Sequence, residues 1–293
     1  MGISASFGEL LVDARQNGAG FDNLCTIGRQ GLAIPVNQLR KMAHSLGAAE
    51  PDWTGFSADG YADDFFRLIL GSRSIQSVDY SDYQHADLVH DLNTPLPESW
   101  KERFDALIDG GSIEHIFDIR QVLTNYMETV KVGGNVFLMT TANNMCGHGF
   151  YQFSPEFFYR VFAPDNGFEV VDMAMVESPL LTFEASRWYR IYRVNDPAKM
   201  KRRVQLVNKR PVMIYVHARR IADVPVFGKP PLQSDYKMLK WNSEPQTPRD
   251  AGTSARAGKP FRHLSIVREL RKRLLQRRKN SFGNRRFFSD KFN

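Results

Sequence analysis

The chain has 293 residues, a formal net charge of +7, 42% hydrophobic and 12% aromatic residues, and two cysteines. That is ample apolar material for one main domain with appendages. No run approaches the roughly 18 consecutive apolar residues of a membrane span. The opening MGISASFGELLVDARQ has no basic start followed by an apolar stretch, and two cysteines cannot build a disulfide framework, so a reducing, cytoplasmic setting is expected. The charge is uneven. Residues 262–293 hold eleven Lys/Arg against Glu269 and Asp290, a net +9, which leaves −2 for the rest of the chain.

In chain order, SFGELLVDARQ places Phe7, Leu10, Leu11 and Ala14 at helical spacing and reads as an N-terminal helix within residues 1–20. FDNLCTIG reads as a buried strand stopping at Gly28, and PVNQLRKMAHSLG as the helix after it. A Pro/Asp/Ser/Gly-rich loop spans 47–60, and YADDFFRLILG is a second helix. Strands follow in SIQSVDYSDY, ending at Asp79, in ADLVHDLNTPLP, ending near Asp91, and in FDALIDGG. HIFDIRQVLTNYMETVKVGG is helical until Gly133 and Gly134, before the strand NVFLMTT. SPEFFYRVF starts a helix with Ser154 as N-cap, Pro155 at its first position and Glu156 in the first turn. GFEVVDMAMVE and RPVMIYVHARRI are strands.

This alternation predicts an α/β, Rossmann-like, mostly parallel sheet with helices on both faces over residues 21–222. Residues 223–261, rich in Pro, Gly, Ser and Thr, read as a partly disordered linker, and residues 262–293 as a basic amphipathic tail.

Ligands of such sheets bind at the carboxyl ends of the strands, near the point where strand order reverses. Four places qualify. In IGRQGL, Gly28 and Gly31 let backbone approach a ligand. Asp79 can accept two ribose hydroxyls, and in HDLN Asp91 can accept from an adenine amine while Leu92 packs on the ring. In IDGGSIEHIF, Gly110 precedes the Glu114–His115 pair. Each has an ordinary structural alternative: a tight turn, a solvated or capping Asp, a dipole-matched Glu. A dehydrogenase fingerprint needs three glycines and an acidic residue about twenty positions on, which this spacing lacks.

Taken in order, VDYSDY, HDLNTPLP, FDALIDGGSIEHIF, VKVGG and NVFLMT resemble the second to fifth strands of class I S-adenosylmethionine (SAM) dependent methyltransferases, type 11/12-like. More narrowly, residues 21–180 are similar to a bacterial branch whose first loop reads G-R-Q and whose fifth strand runs into ANN and GHGFYQFSPE. The resemblance implies SAM as methyl donor, with Gly28 under its methionine portion, Asp79 on its ribose, Asp91 and Leu92 flanking adenine, Gly110 beneath the sulfonium, and Glu114 and His115 at the rim. The usual G-x-G-x-G is reduced here to GRQG, with Arg29 inside it. That departure leaves open, as an alternative, a non-catalytic methyltransferase-like binding or scaffold protein that has lost SAM.

On the acceptor side, Asn143, Asn144, His148, Tyr151 and Gln152 suit a hydroxyl-bearing small molecule or glycan precursor. O-methylation needs a base, for which His148 is the first candidate, with His115 as a pocket residue. The chain shows no metal-ligand spacing, so no metal is expected. The tail suits an anionic membrane surface, placing the protein at the inner membrane, or a nucleic acid, with Phe282, Phe287 and Phe288 available for lipid insertion or base stacking. A nucleic-acid methyltransferase is the second alternative, weakened because no Asn-Pro-Pro-Tyr type motif is present.

Overall fold

The computed structural model describes residues 2–49, 51–178, 189–239 and 279–290. A nine-stranded sheet is laid down from β2 (Asn23–Ile27) outward in two directions. On one side β2 pairs in parallel with β4 (Ser74–Asp79), and β4 with β5 (Leu88–Val89). On the other it pairs in parallel with β6 (Phe104–Asp109), and β6 with β7 (Val130–Asn143). Next to β7 comes β10 (Val212–Arg220), antiparallel, and then β8 (Phe168–Glu177), β9 (Arg190–Val194) and β11 (Phe288–Asp290), each antiparallel to its neighbour. Seven of the nine strands therefore point one way, with β9 and β10 reversed. Strand order reverses between β2 and β6, which opens a crevice at their carboxyl ends.

Period-two alternation divides the side chains between two cores. Leu24, Ile108, Phe137 and Tyr215 face one layer, packed under α1 (Ala5–Gln16) and α2 (Val36–Ser45). Cys25, Ile27, Leu107, Val136, Leu138 and Val216 face the other, packed under α3 (Ile119–Thr129) and α4 (Pro155–Val161). Both faces are covered, which is why the central strands read as continuous apolar runs.

Caps locate the helix starts. Ser4 accepts from Phe7 N–H at 3.3 Å, Asp118 from Gln121 N–H at 3.0 Å, and Ser154 from Phe157 N–H at 3.3 Å, with Pro155 and Glu156 placed as expected. α3 is shorter than its apolar spacing suggests. It starts after a 3-10 turn at Ile113–His115, and it ends at Thr129 because Val130 already pairs with Phe104. Gly133 and Gly134 lie within β7 instead of ending the helix; a Cβ on Gly134 would stand 3.0 Å from Phe104 O, beside the register shift between Phe104 and Ala106. The expected helix in YADDFFRLILG winds as a π-helix over Phe65–Ile69, with Leu70 N–H bonded to Phe65 O.

Four strands had no clear sequence signal. β1 (Gly2–Ser4) pairs in parallel with β3 (Gly31–Ala33), both too short to show a period. β9 and β11 form the far edge of the large sheet. The N-terminal segment is part of the core, since Phe7, Leu10 and Leu11 are fully buried. Residues 223–239 contribute buried Phe227 to the second core and a short helix (Ser234–Leu239), whose Ser234 N–H bonds Glu156 at 2.7 Å.

The basic stretch 262–278 lies outside the described residues. Phe287 and Phe288 are buried and Phe282 stacks on Tyr192 at 4.0 Å, because β11 seals an apolar edge of the sheet. Among the described residues, no helix is long and apolar enough to cross a membrane.

Candidate functional site

A cavity of about 410 Å³ opens in the crevice at the reversal of strand order. Its walls come from the carboxyl ends of four parallel strands. β2 supplies Ile27 and Gly28, β4 supplies Val78, Asp79 and Tyr80, the turn after β5 supplies Asp91 and Leu92, and the turn after β6 supplies Ser112, His115 and Ile116. The volume suits a small organic ligand, and Ile27, Val78, Leu92 and Ile116 give it apolar walls between two carboxylates.

Gly28 has φ +66°, and its N–H donates to Val78 O at 2.7 Å, so the chain turns away directly above the cavity floor. Asp79 accepts from Ser81 N–H at 3.2 Å. Asp91 accepts from the backbone and side-chain amides of Asn93 at 2.9 and 2.7 Å, which hold its carboxyl below the usual range. Asp91 thus caps its own turn and lines the cavity at once.

The other two glycines are used elsewhere. Gly31 belongs to β3, pairing with Gly2 and bridging to Tyr61. Gly110 is covered: a Cβ there would stand 2.9 Å from Gly2 O, and Gly110 O accepts from Gly2 N–H at 3.3 Å. The Gln30 side chain fills the remaining space, 2% exposed, donating to Ile27 O at 2.5 Å. Arg29 turns away from the cavity. It bonds Asp59 at 2.8 Å and Asp63 at 3.2 Å and lies 3.9 Å over the Tyr61 ring, so it ties the 47–60 loop to the glycine turn.

Asp109, at the end of β6, was not singled out from sequence, although it obeys the same rule as Asp79 and Asp91, a carboxylate directly after a strand. It is fully buried and accepts from the N–H groups of Gly111, Ser112 and Ile113 and from Tyr126 Oη–H at 3.0 Å. These bonds shape the turn that delivers Glu114 and His115.

Glu114 does not line the cavity. Its side chain is fully buried behind it, with Oε2 accepting from Thr140 Oγ1 at 2.8 Å. Burial and the nearby Asp109 push its carboxyl up to about 7. His148 Nε2 lies 3.6 Å from Glu114 Oε1, and the His115 and His148 rings are 5.0 Å apart. Burial and His148 both lower the pKa of His115. The loop reaches this position through Gly149, at φ +76°, where a Cβ would stand 2.6 Å from Glu114 O; Phe150 N–H donates to the same oxygen at 2.7 Å.

The polar residues flanking His148 bond other groups of the chain, near and far in sequence. Asn143 and Asn144 bond Asn208 at 2.8 Å, and Gln152 accepts from Met145 N–H at 3.0 Å. Tyr151 Oη–H donates to Phe117 O at 2.6 Å. These bonds structure the loop, with Asn144 and Gln152 exposed at its surface. Exposed beside His148 are Phe150 and, edge-on to it at 5.9 Å, Phe117.

No protein-family model matches the sequence, and no curated sequence is similar to it. Solved structures similar in outline include three bacterial proteins. One is the 1,6-didemethyltoxoflavin-N1-methyltransferase of Burkholderia thailandensis with bound S-adenosylhomocysteine, at 10% identity over 73% of this chain and 77% of that one, TM-score 0.40. The second is the N-methyltransferase NodS of Bradyrhizobium japonicum in complex with S-adenosylhomocysteine, at 8% identity over 73% and 86%, TM-score 0.40. The third is TehB of Haemophilus influenzae, at 11% identity over 72% and 62%, TM-score 0.42. The strand order of this chain, parallel β5-β4-β2-β6-β7 followed by antiparallel β10 inserted before β8, is that of a Rossmann-like α/β fold with a mostly parallel sheet.

Proposed function

We propose that the chain binds SAM in the cavity between β2, β4 and β6 and transfers its methyl group to a hydroxyl of a small sugar-like acceptor. The observation that carries this reading is the convergence of Gly28, Asp79, Asp91 and Leu92, from three separate strand ends, on one cavity. Asp79 is suited to a ribose diol and Leu92 to an adenine face. His115 lies where the cavity meets the loop bearing His148, so the acceptor enters past Phe150 and Phe117, whose faces suit a sugar ring. In the reaction the acceptor oxygen attacks the methyl carbon as the carbon–sulfur bond breaks. His148, whose Nε2 lies 3.6 Å from Glu114 Oε1, takes the hydroxyl proton.

A second reading is favoured by Gln30 and β1, which occupy the space over Gly110. In that reading the cavity takes a nucleoside without its amino-acid portion and the domain serves as a non-catalytic binding module. Calorimetry with SAM, S-adenosylhomocysteine and adenosine discriminates the two. The first reading expects SAM and S-adenosylhomocysteine to bind tighter than about 100 μM, near −5.5 kcal/mol, with Asp79→Ala weakening both at least about tenfold. Adenosine binding alone supports the second reading, and no heat with any of the three removes both.

A further inference from the structure

We propose that Glu114, His115 and His148 form a binding site for one divalent transition-metal cation, Zn2+ in the first place. One ligand atom from each of the three lies within 4.8 Å of the others. Two imidazoles and one carboxylate are a donor set for Zn2+ and similar borderline cations, whereas Mg2+ prefers oxygen. Ligand atoms at zinc-bonding distance from one centre are about 3.3 Å apart, given bonds of about 2.0–2.1 Å. His148, half exposed on a loop, can close the remaining gap by side-chain rotation.

The site is built, not incidental. Among the described residues Glu114 Oε1 is buried with no side-chain hydrogen-bond partner and faces His148 Nε2 at 3.6 Å, while Thr140 fixes the other oxygen at 2.8 Å. A buried carboxylate oxygen left without a donor is costly, and a cation between it and two imidazoles removes that cost. Thr140 is the outer partner that ligating carboxylates ordinarily have. Gly149 brings the loop onto Glu114 at a spacing that a Cβ would forbid. His148 stands 33 positions after His115, so the grouping has no motif spacing and escapes a reading of the sequence alone.

The site stands on these side chains alone and not on the methyltransferase reading. A cation held by His148 Nε2 takes that nitrogen out of acid–base service, so His148 serves as the base of the proposed transfer only in the cation-free chain.

The test is calorimetric titration of ZnCl2 and MgCl2 into the untagged, EDTA-stripped full chain, with circular dichroism as the check on folding. The expected result is one Zn2+ per chain with Kd about 10 μM or tighter. Mg2+ should bind at least about tenfold more weakly, and His148→Ala should weaken Zn2+ at least about tenfold in a folded protein. His44→Ala, at an exposed position of α2, should leave binding unchanged. No Zn2+ binding, equal affinity for Mg2+, or Zn2+ binding unaltered in His148→Ala overturns the proposal. Failure of SAM binding with Zn2+ binding intact removes only the methyltransferase reading.

Discussion

Single side chains show how one residue type takes different roles according to its surroundings. Asp79 and Asp91 end strands at the cavity, while Asp109, in the equivalent place one strand along, is sealed beneath it and holds a turn. The two cysteines differ as sharply. Cys25 is 1% exposed and burial pushes its thiol far up, whereas Cys146 is exposed on the loop before His148. Because the thiolate is the reactive form, iodoacetamide should label Cys146 and spare Cys25 in the native protein. Peptide mass spectrometry would show it, and equal labelling would mean that β2 is not packed as described. The candidate residues Gly28, Asp79, Asp91 and Leu92 were legible because each follows a strand that its own composition announces. The contact of Glu114 with His148 was not, since it depends on a loop crossing the carboxyl end of β7.

At the scale of elements, the glycine turn after β2 differs most from expectation. GRQG places Gln30, not a third glycine, over Gly110, and β1 pairs with β3 to hold it there. If the resemblance places the methionine end of SAM over Gly28 and Gly110, Gln30 is the obstacle. Gln30→Ala should then tighten SAM by about tenfold, or 1.4 kcal/mol, and leave adenosine affinity unchanged. An equal gain for both ligands, or none, would show in the same calorimetric series that Gln30 does not separate the two halves of the site. Among the described residues the buried Gln30 Oε1 has no partner, so the substitution removes a poorly satisfied group. The extent of β7 has a comparable cause: in VKVGG the helical spacing of the preceding residues runs on past the point where pairing with β6 takes over.

Across the whole molecule, two cores on either side of one sheet are extended by a third apolar cluster where Phe287 and Phe288 close the edge over Tyr192 and Val194. Phe288→Ala should cost about 3 kcal/mol, because a fully buried ring is deleted from this edge. Urea unfolding would measure it, and a change below about 0.5 kcal/mol would show that β11 contributes nothing to the folded state. The sequence by itself determined the alternation of strands and helices, the caps at Ser154 and the carboxylates at strand ends, because these depend on neighbours only a few residues away. Only the tertiary structure decided the pairing of β1 with β3, the covering of Gly110 by Gln30, the bonding of Asn143 and Asn144 to Asn208, and the meeting of Glu114 with His148. Each of those depends on contact between segments far apart in the chain, where packing and the need to satisfy buried polar groups select among conformations that the local sequence leaves equally open.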